Sequence, residues 1–207
     1  MIYKITPHHL MSVLKVILGC ALSLLSNAMQ GQTTSDCNGA VVLCGDLYQE
    51  VNASLNTGDV YEFTGGCNAN LEQSSVWYTF TVQADGLLSF VLDPLNPMDD
   101  YDWGLFNITS GGCDGIGSQL LSPEMGCNSY GVAAPEPNGA TGISTANGGT
   151  GDSNGPGNFN GPAFNADLPV LAGDQYALVV MNWTNSLEGY TIDFGQSTAS
   201  LYDELPP

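Results

Sequence analysis

The chain has 207 residues, with 21 acidic side chains against 2 basic ones and 2 histidines, for a formal charge of -19. Both lysines and both histidines (Lys4, Lys15, His8, His9) lie near the start and there is no arginine, so everything after Lys15 lacks a cationic side chain. That excludes ordinary nucleic-acid binding, polybasic attachment to anionic lipid, Ser-His-Asp and Cys-His catalysis, Schiff-base lysines, His-ligated zinc and arginine clamps; carboxylate chemistry and binding without catalysis remain.

Residues 1–28 read as a secretory signal peptide. Lys4 and Lys15 supply the basic start, residues 16–25 an uncharged apolar middle, and Ser26-Asn27-Ala28 the small residues before cleavage after Ala28, or shortly afterwards before Gln32. The apolar run is roughly half the ~20 residues a membrane helix needs, so no transmembrane segment is expected. Ile17-Leu18-Gly19-Cys20 loosely resembles a lipoprotein acylation site, but the apolar run continues past Cys20. Cleavage removes every cation and leaves all 21 acidic residues uncompensated. Their carboxylates must then be spread apart, protonated or neutralised by metal cations.

From Gln32 onward, strand-length apolar stretches alternate with turns and no window carries a helical stripe. Short strands are expected at 41–43, 47–51 and 60–63. The clearest, 76–82, is followed by the turn Ala84-Asp85-Gly86 and by 87–92, which predicts a hairpin. Pro94 and Pro97 interrupt pairing. In the stretch 99–106, Asp100 and Asp102 share one face and Tyr101, Trp103 and Leu105 the other, so the aromatic face is expected in a core and the carboxylate face against water or a cation. Residues 135–162 are rich in Gly, Asn, Pro and Ser and read as a long loop with at most one short strand near Ile143. Strands resume at 164–171, 175–183 and 189–194. The expectation is an all-β fold, a single antiparallel jelly-roll-like β-sandwich of eight or nine strands over 29–195, with 196–207 as a linker or tail.

After the leader five cysteines remain: Cys37, Cys44, Cys67, Cys113 and Cys127. In an exported chain they read as disulfide partners. Cys113 with Cys127 is the first choice, two of Cys37, Cys44 and Cys67 form a second bridge, and one thiol is left over.

Several motifs appear together in order: Cys37-Asn38-Gly39-Ala40 with Cys44, Ser75-Val76-Trp77-Tyr78-Thr79-Phe80, Gly86-Leu87-Leu88-Ser89-Phe90, Asp99-Asp100-Tyr101-Asp102-Trp103, Cys127-Asn128, and Gly173 with Tyr176-Ala177-Leu178-Val179-Val180 and Gly189-Tyr190. With them the chain resembles the N-terminal β-sandwich module of large secreted or surface proteins of Bacteroidetes, often joined to PKD-type and type IX secretion sorting domains. More remotely it resembles the bacterial pre-peptidase C-terminal domain, some members of which bind calcium. The resemblance implies a binding, adhesion or accessory module, with further domains beyond this chain and no known ligand. No sorting domain is visible after Gly195.

The acidic stretch is a candidate calcium site. Calcium takes six to eight oxygen ligands. Asp99, Asp100 and Asp102 offer several, and Asp93, Asn182 and Glu72 are candidates for the rest. The competing reading is a solvated strand edge that discourages aggregation. Asp152-Ser153-Asn154 begins like an EF-hand loop, but Pro156 and Ala163 break the pattern. Trp77, Trp103 and Trp183 are either sugar-stacking platforms or core, and their apolar neighbours favour core. A glycosidase needs two carboxylates across a cleft; Asp100 and Asp102 have the spacing, but a strand alone makes no cleft, so no catalytic residue is assigned. The expectation is a secreted or cell-surface, non-catalytic, calcium-stabilised module whose polysaccharide or protein ligand is unidentified. The alternatives are a carbohydrate-binding accessory module and a carboxylate glycoside hydrolase.

Overall fold

The structure is a computed structural model that describes residues 33–68, 72–117, 123–131, 139–156 and 161–202. The leader, with Lys4, Lys15, His8, His9 and Cys20, and the end at Leu205-Pro206-Pro207 lie outside the described residues.

Fourteen strands are found among the described residues. They are β1 (Val41–Val42), β2 (Leu47–Asn52), β3 (Ser75–Ala84), β4 (Gly86–Leu88), β5 (Phe90–Pro94), β6 (Tyr101–Asn107), β7 (Glu124–Asn128), β8 (Thr141–Ile143), β9 (Ser153–Asn154), β10 (Phe164–Asn165), β11 (Leu168–Val170), β12 (Gln175–Asn182), β13 (Glu188–Asp193) and β14 (Ser200–Leu201). The chain is an all-β sandwich. Its first sheet runs β1-β3-β12-β6-β7-β9 with β14 also on β3, its second runs β10-β8-β5-β13-β2, and β4 pairs with β11 as a separate ribbon.

Alternation along the strands decides what lies between the sheets. Tyr78 and Phe80 of β3, Trp103 and Leu105 of β6, and Tyr176, Leu178 and Val180 of β12 face Phe90 and Leu92 of β5 and Tyr190 and Ile192 of β13 in one buried cluster. Rings meet across the layer at Phe90–Trp103 and Tyr101–Tyr190, with centroids 5.2 and 4.8 Å apart. The hydroxyls of Tyr78 and Tyr190 share a buried hydrogen bond of 2.7 Å between the two sheets, so neither polar tip is stranded in the core.

The first sheet is covered on its other face too. Trp77, Phe106, Ala177, Val179 and Met181 pack there with Cys37, Ile108 and Ile116, and Phe63 and Trp183 lean on them. Burial on both faces is why β12 is an almost unbroken apolar run, Tyr-Ala-Leu-Val-Val-Met. Disulfides hold this cover down, Cys37 to Cys113 and Cys67 to Cys127, and Cys44 is a free, exposed thiol. The Cys113–Cys127 pairing expected from proximity in sequence is therefore corrected. Each of those two cysteines instead ties its segment to the N-terminal stretch lying over the sheet.

Other expectations change as well. The sandwich is not purely antiparallel, since β1–β3, β10–β8 and β7–β9 are parallel pairs. The stretches 76–82 and 87–92 form no hairpin: β3 pairs with β12 in one sheet and β5 with β13 and β8 in the other. Residues 60–63 form no strand, because side chains capture local main-chain groups, with Asp59 N and Val60 N donating to Asp36 Oδ1. The tail reading fails over 196–202. Ser144 donates to Gln196 Oε1 at 2.7 Å, and β14 pairs with β3 with Leu201 buried.

The Gly/Asn-rich region is built into the fold through three buried asparagines. Asn128 donates to Asn165 Oδ1 at 2.9 Å, Asn154 donates to Asn128 Oδ1 at 3.0 Å, and Asn165 donates to the carbonyls of Cys127 and Asp152. These amides reinforce the short β7–β9 and β8–β10 pairs with side-chain bonds to nearby carbonyls. Asp152-Ser153-Asn154 thus forms an edge of the first sheet, β9 pairing with β7.

Candidate functional site

β6 lies in the middle of the first sheet, between β12 and β7. Its odd-numbered residues enter the main core, which puts Asp100, Asp102, Gly104 and Phe106 on the covered face. The register sets Asp102 opposite Met181, and Trp183 N donates to Asp100 O at 2.9 Å. Segment 64–68 crosses the strand at Gly104, where a Cβ would run into the carbonyl of Thr64. Only glycine permits that approach. Asn68 seals the crossing by donating to Thr64 O at 2.6 Å and to Trp103 O at 3.2 Å.

Asp102 is consequently buried, at 6% exposure, and Asp100 is half-buried. The wet carboxylate face expected from alternation is corrected: the 64–68 segment and Trp183 lie over it. Burial pushes Asp102 up to about 8, the charge of Asp100 adds to the rise, and the indole N–H of Trp183 opposes it from outside hydrogen-bond geometry. Burial likewise pushes Asp100 up to about 6. Three buried polar atoms on this side of the sheet have no hydrogen-bond partner: Asp100 Oδ1, Asn68 Oδ1 and Trp183 Nε1. Unpaired buried polar atoms cost about 1–3 kcal/mol each, more when charged.

The other expected ligands are elsewhere. Asp93 is exposed on β5 in the second sheet. Asn182 is buried and satisfied, donating to Ser186 O at 2.8 Å and accepting from Thr184 Oγ1 at 3.2 Å. Glu72 accepts from Ser75 Oγ at 2.6 Å and from Glu62 N at 3.2 Å. Asp99 is buried with Oδ2 unpartnered, and its charge acts on Tyr101, on the opposite face from Asp102. Of the six-residue set, the structure brings together Asp100 and Asp102. Among the described residues, the one group of three Cys, Asp, Glu or His ligand atoms within 4.8 Å of one another is Cys67, Glu124 and Cys127, and two of these form a disulfide. An open cleft of about 360 Å³ lies nearby, lined by Glu124, Met125, Gly126, Asp152 and Ser153.

Trp77 and Trp103 are fully buried, and Trp103 donates to Thr141 Oγ1 at 3.1 Å. Neither is a sugar platform. Trp183 is half-buried. Asn68 was missed by sequence reasoning because it sits in no motif. Its one local signal is its place directly after Cys67, whose bridge to Cys127 pins it to the sheet.

The fold is thus a two-sheet β-sandwich carrying an acidic pair, buried Asp102 and half-buried Asp100, on the covered face of one sheet. No protein-family model matches the chain, and no curated protein matches it. Among solved structures it has a likeness to CorA, described as a surface-associated copper-binding protein important in Methylomicrobium album BG8 copper acquisition, at 8% identity and a TM-score of 0.34, covering 74% of this chain and 96% of that one. A likeness at that level carries no argument about ligand or function.

Proposed function

We propose that this chain is a non-catalytic binding or structural module that works outside the cytoplasm, at the cell surface or in the medium, and that its acidic pair holds calcium. The observation that carries the reading is that Asp100 and Asp102 are withdrawn from water, with no cationic side chain anywhere between residues 33 and 202. Two ionised carboxylates in that setting repel one another and lose hydration together. The available donors are the carboxylate oxygens of Asp100 and Asp102, which suit a hard cation. Main-chain carbonyls and water would complete six to eight ligands. A bound ion there would neutralise the pair. The leader-like start and the two disulfides support export, and the resemblance to Bacteroidetes surface modules supports a role beside further domains.

The test is a thermal melt of the leaderless protein with calcium and with chelator, beside calorimetric titration of calcium. A higher melting temperature with calcium, lost in Asp102→Asn, is expected. An unchanged melting temperature and no binding heat remove the metal from the account. A second reading, a carbohydrate-binding module, is favoured by Trp183, the one tryptophan that keeps exposed surface, with an unpartnered N–H beside two carboxylates. A glycan array on wild type and Trp183→Ala tests it; equal or absent binding rejects it.

A further inference from the structure

Among the described residues, the first sheet is covered on both faces and the second is open on one. Tyr190 and Ile192 of β13 and Phe90, Leu92 and Pro94 of β5 face the core, so Gly189, Thr191 and Asp193, with Val91, Asp93 and Leu95, face outward. β2 is the last strand of that sheet and pairs with β13 alone among the described residues. Tyr48 packs toward the core while Leu47 and Val51 point out, 66% and 60% exposed. Register places Val51 beside Gly189 and Gly189 beside Leu95, and Leu187 follows one row on. Leu95 and Leu187 are 46% and 66% exposed. A Cβ on Gly189 would collide with the main chain at Glu50. Val51, Leu95 and Leu187 thus gather around Gly189 at one end of this face, with Gln49 between Val51 and Leu47 along β2.

Exposed edges are normally blunted by charge or proline; β2, Leu-Tyr-Gln-Glu-Val-Asn, has no proline or lysine, and its one charge, Glu50, lies on the Tyr48 side and accepts from Tyr48 Oη, away from Leu47 and Val51. The charges that surround it are all of one sign: Asp93 and Asp193 on the open face, Glu50 on β2 itself and Glu188 on β13. With no cation in residues 33–202, nothing within the described fold balances them. A second copy of the chain would bring the same acids against each other, which opposes self-pairing.

We infer that the β2 edge is a docking site for an extended segment of a partner protein, one that alternates apolar with Lys or Arg residues and adds as a strand to the second sheet. Its apolar residues lie beside Leu47 and Val51, and a basic residue lies beside Glu50. Main-chain pairing supplies affinity and the alternating side chains supply selectivity. The site is separate from Asp100 and Asp102 and does not depend on the metal.

The test uses the leaderless protein and three synthetic ten-residue peptides: alternating Lys and Val, the same with a central proline, and alternating Glu and Val. Binding is followed by fluorescence anisotropy at moderate salt, and the site by hydrogen exchange. The Lys/Val peptide is expected to bind and to slow exchange in β2, with about tenfold or greater weakening for the proline peptide, for the Glu/Val peptide, and for the protein variant Leu47→Thr/Val51→Thr. Both substituted positions are exposed, so the variant is expected to melt like wild type. Equal binding of the Lys/Val and proline peptides means charge attraction alone and overturns the proposal, as does unaltered binding by the variant. A dimer in sedimentation without peptide, dissolved by the same double substitution, overturns it in favour of a second copy.

Discussion

Replacing Asp102 by asparagine separates a proton from a cation as the partner of the buried pair. The ordinary aspartate value is 3.8 and burial raises that of Asp102 to about 8. Between those values the folded protein binds a proton that the unfolded chain has released, so without metal, stability falls as pH rises through this window. From about pH 5 to about pH 7 the loss integrates to on the order of 3 kcal/mol, roughly 5–10 °C in melting temperature for a domain of this size. Asp100 and Glu62, raised to about 6 and about 7, act in the same direction. Asp36 acts oppositely. Burial raises it, but the N–H groups of Val60 and Asp59 and the hydroxyl of Thr33 more than reverse that and hold it below its ordinary value, so its contribution is lost only in stronger acid. In chelator at neutral pH, Asp102→Asn is therefore expected to melt higher than wild type and to show a flatter pH profile. With calcium the order is expected to reverse, because wild type gains and the variant does not. The assay is thermal unfolding from about pH 5 to about pH 8 with calcium or chelator. Identical pH slopes for wild type and variant in chelator would refute the burial argument, and a variant that still gains with calcium would refute the assignment of the ion to this pair.

Tyr190→Phe removes the partner of the buried Tyr78 hydroxyl and is expected to lower stability by about 1–3 kcal/mol in urea unfolding, with little change in near-neutral pH dependence. Peptide mapping of the leaderless protein without reductant is expected to recover Cys37–Cys113 and Cys67–Cys127, with Cys44 the one cysteine alkylated by iodoacetamide in its native state. Opening the Cys37–Cys113 bridge, which spans 76 residues of sequence, is expected to cost about 4 kcal/mol by the chain-entropy model. Asn128→Leu leaves its amide partners unsatisfied and is expected to speed amide exchange at residues 152–154 and 163–165 well before it affects β12.

The sequence carried what is local. Alternation in β6 placed Tyr101, Trp103 and Leu105 in the core, and the continuous apolar run of β12 identified a strand. The environment of Asp102 was not legible, because what covers it arrives from far away: Asn68 reaches Trp103 across 35 residues of sequence, pinned by the Cys67–Cys127 bridge. Period-two patterning says which residues share a face and leaves open whether that face meets water. The hairpin failed for a related reason. Asp85-Gly86 encodes a turn, but the partner of Phe80 is Tyr176, and a local turn cannot choose between sheets. The Gly/Asn region misled because asparagine signals loops by composition. Here three buried copies bind one another and neighbouring carbonyls across the short β7–β9 and β8–β10 pairs.

The case for Asp100 and Asp102 as a site rests on how this chain treats its other buried acids. Lacking lysine and arginine after residue 15, it caps Asp36, Glu62 and Glu72 with N–H and O–H donors, while Asp99 keeps Oδ2 unpartnered. Asp36 accepts from Asp59 N, Val60 N and Thr33 Oγ1. Both oxygens of Glu62 accept from Cys37 N, at 2.9 and 3.0 Å. Glu72 accepts from Glu62 N and Ser75 Oγ. Each of these carboxylates organises an irregular segment where no strand could form. On the covered face of β6 the solution changes. Asp100 Oδ1 has no donor, Trp183 Nε1 has no acceptor, and Asn68 turns its amide nitrogen to the backbone and leaves its oxygen unpaired. A proton on Asp102 satisfies one oxygen of the pair, whereas an oxygen-seeking divalent cation draws on both carboxylates at once. For that reason we propose a cation here in preference to a buried carboxylic acid.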